Sequence, residues 1–107
     1  MKSQKLLKNT KDYHSHLIQS LQDIDEAAAY LQVALEEYEE DADPEAFLLA
    51  LRNVSEAQGG IAKLAHKTHL SRQHLYRILS SEGNPRIQTL GNILQGLGFC
   101  LSIKKAA

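Results

Sequence analysis

The sequence lacks features on which small secreted and membrane proteins depend. Its 107 residues include one cysteine, Cys100, so no disulfide can form within the chain, although a secreted domain of this size would often need one. The sequence contains no run of about 18 apolar residues, the length that a bilayer-spanning helix needs. Residues 1–11 contain lysines but lack the apolar stretch of a signal peptide. We therefore expect one small cytoplasmic domain with no membrane association.

Basic residues are missing from a long central part of the chain. Residues 12–51 contain eleven acids and neither lysine nor arginine, whereas residues 1–11 contain four lysines and no acid. Residues 52–107 contain eight lysine or arginine residues and only two acids. Such asymmetry predicts surfaces for two kinds of partner, because charge bears on partners more than on fold. An acidic run such as "EEYEED" could equally be a helix face exposed to solvent, and both interpretations stay open.

Apolar residues at helical spacing cover most of the chain. We expect a short helix in residues 14–22 and a longer one in residues 25–40, for which Asp25 is a plausible N-cap. The next helix is expected to have Asp43 as its cap and Pro44 at its first position, and to stop at the Gly-Gly pair that follows.

A last helix is expected over residues 86–97, followed by a short strand. "FCLSI", residues 99–103, alternates apolar and small residues as a strand does, and Cys100 would be a buried structural thiol there rather than a nucleophile. The expected fold is therefore all-α, with five or so helices and a short C-terminal β-strand. The side chains that the last helix would bury are Ile87, Leu90, Ile93, Leu94 and Leu97.

The stretch "IAKLAHKTHLSRQHLYRIL", residues 61–79, has the apolar spacing of a helix-turn-helix. Leu70 would fill the corner, and Ser71 would cap the second helix. His69 occupies the turn position where glycine is common because the backbone there is left-handed, a conformation that histidine tolerates at a modest cost. The side chains expected to be buried are Ile61, Leu64, Ala65, Leu75, Ile78 and Leu79.

The other side of the second helix indicates DNA binding. Arginine can form two hydrogen bonds to guanine, and glutamine two to adenine. Arg72 and Gln73 lie near the N-terminal end of the second helix, which is the helix that enters the major groove in such motifs. The alternative is a polar helix face that is simply solvated. The residues expected to read bases are Arg72, Gln73, Tyr76 and Arg77, and those expected to contact the DNA backbone are Gly60, Ile61, Lys63, Lys67, Ser71, Arg86 and Thr89.

The chain from about Tyr13 to Ile103 resembles the HigA-type antidote proteins of addiction modules, antitoxins whose DNA-binding part is a Cro/C1-type helix-turn-helix. The resemblance is carried by "AAAYLQVALEE", "DPEAFLLALRNVSEAQGG", "IAKLAHKTHLSRQHLYRILS", "GNPRIQTL" and "LGFCLSI". Many repressors share a helix-turn-helix, whereas the succession from "DPEAFLLALR" to "GNPRIQTL" is more specific. The resemblance implies a cytoplasmic antitoxin that binds a RelE/ParE-like (HigB-type) toxin, often an mRNA-cleaving enzyme, and represses its own operon.

This interpretation divides the chain into three segments. Residues 1–11 would be a disordered basic start, residues 12–43 an acidic helical segment that contacts the toxin, and residues 44–107 the DNA-binding domain with its C-terminal strand. Toxins that act on RNA need cationic surfaces, which an acidic segment complements. The expected toxin contacts are Tyr30, Glu36, Glu37, Glu40 and Asp41.

A homodimer on a palindromic operator is expected as well, because a lone helix-turn-helix makes few base contacts. A single terminal strand has unpaired backbone groups that its symmetry mate would satisfy, unless it pairs within its own chain or forms no sheet. The dimer contacts would then be Phe99, Leu101 and Ile103.

Enzymatic and metal-dependent functions are poorly supported. His14 and His16, and further along His66, His69 and His74, invite a metal site, but no carboxylate or cysteine completes a ligand set. "QGGI" lacks the spacing of a nucleotide-binding loop. We expect no catalysis, no cofactor and no metal. The alternatives to an antitoxin are a Cro/C1-like repressor without a toxin partner and a helical adaptor that binds only proteins.

Overall fold

The computed structural model describes residues 2–107, with side chains from residue 10 onward. Six α-helices make up this part of the chain, which contains no β-strand. The predicted all-α class is therefore confirmed. The helices are α1 (Lys2–Ser20), α2 (Ile24–Asp41), α3 (Glu45–Ala57), α4 (Ile61–Thr68), α5 (Arg72–Ile78) and α6 (Ile87–Gly96).

Helix α3 lies at the centre of the domain. Helices α1, α2 and α4 all pack against it, and α4 also contacts α5 and α6. Its apolar face, which helical spacing predicted, is fully buried through Leu48, Leu51 and Val54. Side chains from α2 to α6 join these residues in one apolar cluster. The acidic helix α2 is thus fixed to the same core as the basic half of the chain.

Aspartate side chains satisfy the first backbone N–H groups of α2 and α3. Asp23 caps α2, since its Oδ1 accepts hydrogen bonds from the backbone N–H groups of Asp25 at 2.8 Å and Glu26 at 3.2 Å. The prediction that Asp25 caps α2 is wrong, because Asp25 already lies in the first turn of the helix. Asp23 has the extended backbone of an N-cap. Asp43 Oδ1 accepts the N–H of Glu45 at 3.0 Å, but the N-cap of α3 is Pro44 and not Asp43, so the helix begins at Glu45, one residue later than expected.

Helix α1 is longer than the short helix expected near residue 14. Its end is held on the rest of the domain, because His14 Nε2 pairs with Glu56 Oε2 at 3.3 Å and Gln58 Nε2 donates to the Leu21 carbonyl at 2.9 Å. Residues 1–11 were expected to be disordered. The side chains of residues 1–9 lie outside the described part of the chain, so this disorder stays a prediction.

The buried face of α6 is shorter than predicted. Ile93, Leu94 and Leu97 are buried and Leu90 packs against the core, but Ile87 is 78% exposed. Ile87 is the first residue of α6, one turn before the first contact with the core at Leu90. The prediction that Ile87 is buried is therefore wrong.

The predicted C-terminal strand is wrong, because residues 97–107 form no β-ladder with any described part of the chain. Alternation favours an extended backbone, but a strand also needs a neighbour for its hydrogen bonds. Phe99 packs against the core, whereas Leu101 is 42% and Ile103 98% exposed, so these residues form no common packed face. Cys100, expected to be buried, is exposed because no sheet covers it.

Candidate nucleic-acid and partner surfaces

A three-residue turn joins α4 to α5 and fixes their geometry. His69 has φ 60° and ψ 25°, which confirms the left-handed conformation expected at this position. Thr68 Oγ1 donates to the Leu64 carbonyl at 2.8 Å and accepts the N–H of Leu70 at 3.3 Å. Ser71 Oγ then accepts the N–H of His74 at 3.0 Å, so the predicted cap of α5 is confirmed. Every step of the turn is therefore held by a backbone conformation or a hydrogen bond.

Helix α5 buries its leucines and exposes its polar residues. Leu75 and Leu79, a turn apart, are fully buried. All four residues expected to read bases are exposed, and Tyr76 has 63% of its surface accessible. Helical spacing places the four on one side of α5, where they can contact a partner without disturbing the core. They are Arg72, Gln73, Tyr76 and Arg77.

A polar basin of about 530 Å³ lies between α5 and the start of α6. Arg77 of α5, Arg86 and Thr89 line it together, so the structure unites three of the residues predicted to contact DNA. His74 also lines the basin, because it lies three residues before Arg77 on the same side of α5, but it was not among the residues predicted to contact DNA. Glu82 is the one acid in the wall. Two guanidinium groups beside a hydroxyl suit a phosphate oxygen.

The other predicted backbone contacts lie elsewhere. Lys63 and Lys67 of α4 border a narrow gap beside Gly96, at the opposite end of α6 from the basin. The close approach of α4 and α6 depends on Gly96, where an added Cβ would lie 2.9 Å from Leu64 Cδ1. Gly60 already donates its N–H to the Ser55 carbonyl at 2.8 Å. Five of the seven predicted backbone contacts thus form two groups, one at each end of α6, whereas Ile61 and Ser71 line neither the basin nor the gap.

The acidic residues expected to contact a toxin are all exposed on the second half of α2. Tyr30 differs from them, because it is half-buried and its hydroxyl accepts a hydrogen bond from Asn53 Nδ2 at 3.0 Å. Tyr30 therefore attaches α2 to α3. The exposed acids are Glu36, Glu37, Glu40 and Asp41.

An apolar groove runs between α2, the start of α3, α6 and the C-terminal tail. It consists of two adjoining cavities of about 150 and 110 Å³, and Leu35 and Phe47 belong to the walls of both. Ala28, Gln32 and Leu101 also line the first cavity. This groove could not be predicted from the sequence, because the residues that form it come from four separate segments. Tyr38, Pro44, Asn84 and Pro85 are among the residues that line the second cavity.

Two further findings concern metal binding and membrane-spanning helices. Among the residues that the structure describes, no three histidine, cysteine, aspartate or glutamate side chains come together in a way that could hold a metal ion. No helix in the same part of the chain is both long and apolar enough to cross a membrane.

Comparison with known proteins places the chain among antidotes. The model of one family, described as a probable addiction module antidote protein, matches residues 11–105, which is nearly the whole chain. No curated protein and no solved structure shows a significant match. An antidote implies a toxin as its partner, and its described role is regulatory rather than enzymatic. By this match the chain belongs to the family of probable addiction module antidote proteins.

Proposed function

We propose that this protein is the antitoxin of a type II toxin–antitoxin module. It binds and neutralises a RelE/ParE-like, HigB-type toxin and represses its own operon by sequence-specific DNA binding. The family match supports the antitoxin role. The DNA-binding role rests on one observation above all, the set of exposed polar residues on α5, a helix that the buried Leu75 and Leu79 anchor in the core.

In this proposal α4 and α5 are a Cro/C1-type helix-turn-helix, and α5 enters the major groove. Arg72 and Gln73 lie at the start of α5, where such helices contact base edges, and Tyr76 and Arg77 follow one turn later. The left-handed His69 and the Ser71 cap hold α5 at a fixed angle to α4, so these four side chains reach the bases together.

The phosphate contacts come from both ends of α6. Arg86 and Thr89 act from the polar basin, and Lys63 and Lys67 from α4, with Ser71 and the N–H of Ile61 as further donors. Gly60 contributes only if its hydrogen bond to the Ser55 carbonyl opens. Such contacts position the protein and make binding depend on salt, but they carry no sequence information.

The toxin contacts lie on α2. Its acids, Glu36, Glu37, Glu40 and Asp41, attract a toxin whose RNA-binding surface is cationic, and they raise the rate of encounter. Tyr30 contributes by holding α2 on α3. We also propose a homodimer on a palindromic operator, with half-sites about 34–36 Å apart. The contacts proposed for this dimer remain Phe99, Leu101 and Ile103, although these residues form no strand within the described chain.

Two alanine variants test the DNA-binding role. Gln73→Ala should relax the preference at one or two base pairs by about 1–3 kcal/mol, because Gln73 reads a base. Lys67→Ala should weaken binding to every sequence alike and flatten the salt dependence, because Lys67 contacts phosphate. Binding is measured on the DNA upstream of the gene and on scrambled DNA at fixed salt. Unchanged affinity and preference in an Arg72/Gln73 double alanine variant would contradict the assignment.

A further inference from the structure

Apolar side chains line the groove, and some of them stay exposed to solvent. Leu35 and Phe47 lie at its centre, in the walls of both cavities, while Tyr38 at one end and Leu101 at the other are about 40% exposed. An apolar cavity of about 150 Å³ accommodates a group the size of benzene. The groove therefore has room for two apolar side chains of another molecule, one in each cavity.

The charge beside the groove indicates what kind of molecule this is. Gln32, Leu35 and Glu39 follow one another at steps of three and four residues, so they lie on the same side of α2. Glu36 is held at this edge, since its Oε1 accepts a hydrogen bond from Gln32 Nε2 at 3.2 Å. Among the residues with described side chains, no lysine or arginine forms an ion pair with these acids. The α2 edge of the groove is therefore negative.

We propose that the groove receives a segment of the toxin in which apolar side chains are flanked by lysine or arginine. The apolar side chains fill the two cavities, and a cationic group lies against Glu39. Lys104 and Lys105 follow the tail residues at the other end of the groove, where they would repel a cationic group. We therefore assign the cationic group to the α2 end. This inference rests on the proposed antitoxin function and adds the place and the chemistry of the toxin contact.

A pair of tryptophan variants on α2 tests the apolar part. Ala28 and Ala29 are adjacent and exposed, but only Ala28 lines the groove. Ala28→Trp should fill the first cavity and weaken toxin binding by about tenfold or more, while Ala29→Trp should leave it unchanged. The probe is the small protein encoded beside this gene, and its affinity for each variant is measured by surface plasmon resonance. Circular dichroism establishes that both variants fold.

A pair of charge reversals tests the cationic part. Glu39 and Glu26 are both exposed, and thirteen positions along a helix place them on roughly opposite sides of α2. Both Glu39→Lys and Glu26→Lys should slow association, because steering depends on the total charge. Only Glu39→Lys should also speed dissociation, by about tenfold, because it alone removes a contact.

The outcomes separate this inference from the function on which it rests. If the wild-type protein does not bind the neighbouring gene product, the antitoxin proposal fails and the groove proposal fails with it. If the wild type binds and Ala28→Trp binds equally well, only the groove assignment is overturned. If Ala28→Trp instead turns a dimer into a monomer in sedimentation, the groove holds a second copy of this chain, which also overturns the assignment.

Discussion

Tyr30 connects the acidic helix to the core through a single polar contact. Its hydroxyl accepts a hydrogen bond from Asn53, which is 7% exposed and belongs to the central helix α3. Buried polar groups of this kind are costly to leave without a partner. At the scale of single residues, the position of α2 on the domain therefore depends on this pair as well as on apolar packing.

Tyr30→Phe should lower the free energy of unfolding by about 1–3 kcal/mol, because the Asn53 amide would stay buried without its partner. Tyr38→Phe is the matched control, since Tyr38 lies on the same helix and is 40% exposed. Its hydroxyl is accessible to water, and stability should change by less than about 0.5 kcal/mol. Urea unfolding followed by circular dichroism measures both. Equal effects of the two variants would show that the Asn53 contact does not hold α2.

Gly83 closes the loop before α6, and no other residue fits there. A Cβ at this position would collide with the backbone carbonyl oxygen of Ile78. Gly83→Ala should therefore shift the loop that leads to Arg86 and lower the unfolding free energy by about 2 kcal/mol or more. Gly91→Ala is the control, because a Cβ there meets nothing within 4 Å. Within α6 that change should stabilise the protein by up to about 1 kcal/mol. Thermal unfolding of the two variants should thus shift in opposite directions.

At the scale of elements, the α4–α5 pair was predictable because its signals are local. A serine before an apolar repeat marks a cap, and a residue that tolerates φ near 60° marks the turn; both are visible in residues 61–79. The grouping of the residues predicted to contact phosphate could not be predicted from the sequence, because it depends on how α6 packs on α4 at Gly96. The C-terminal strand failed for the same reason, since a strand is defined by a partner that alternation does not reveal.

Ser71→Ala should cost about 1 kcal/mol of stability, because the N–H of His74 loses its acceptor at the start of α5. Ser81→Ala, in the exposed loop after α5, is the control and should have almost no effect. Denaturant titration compares the two. A Ser71→Ala variant as stable as Ser81→Ala would mean that packing alone positions α5.

At the scale of the whole molecule, the two proposed binding surfaces meet at one loop. Asn84 and Pro85 line both the polar basin proposed for phosphate and the second cavity of the apolar groove. The charge asymmetry of the sequence agrees with two surfaces, since the acids lie on α2 and the exposed arginines on α5 and before α6. The charge pattern predicts two surfaces but not their positions, because those follow from the packing of α2 and α4 on α3.

The most direct test of two separate surfaces is a mobility-shift titration. The protein is first bound to the DNA upstream of its gene, and the neighbouring gene product is then added in increasing amounts. We expect a slower-migrating complex that contains DNA, antitoxin and toxin, because α5 and α2 are contacted independently. Release of the DNA at toxin concentrations that saturate the free antitoxin would contradict the account, since it would mean that both partners need the same surface.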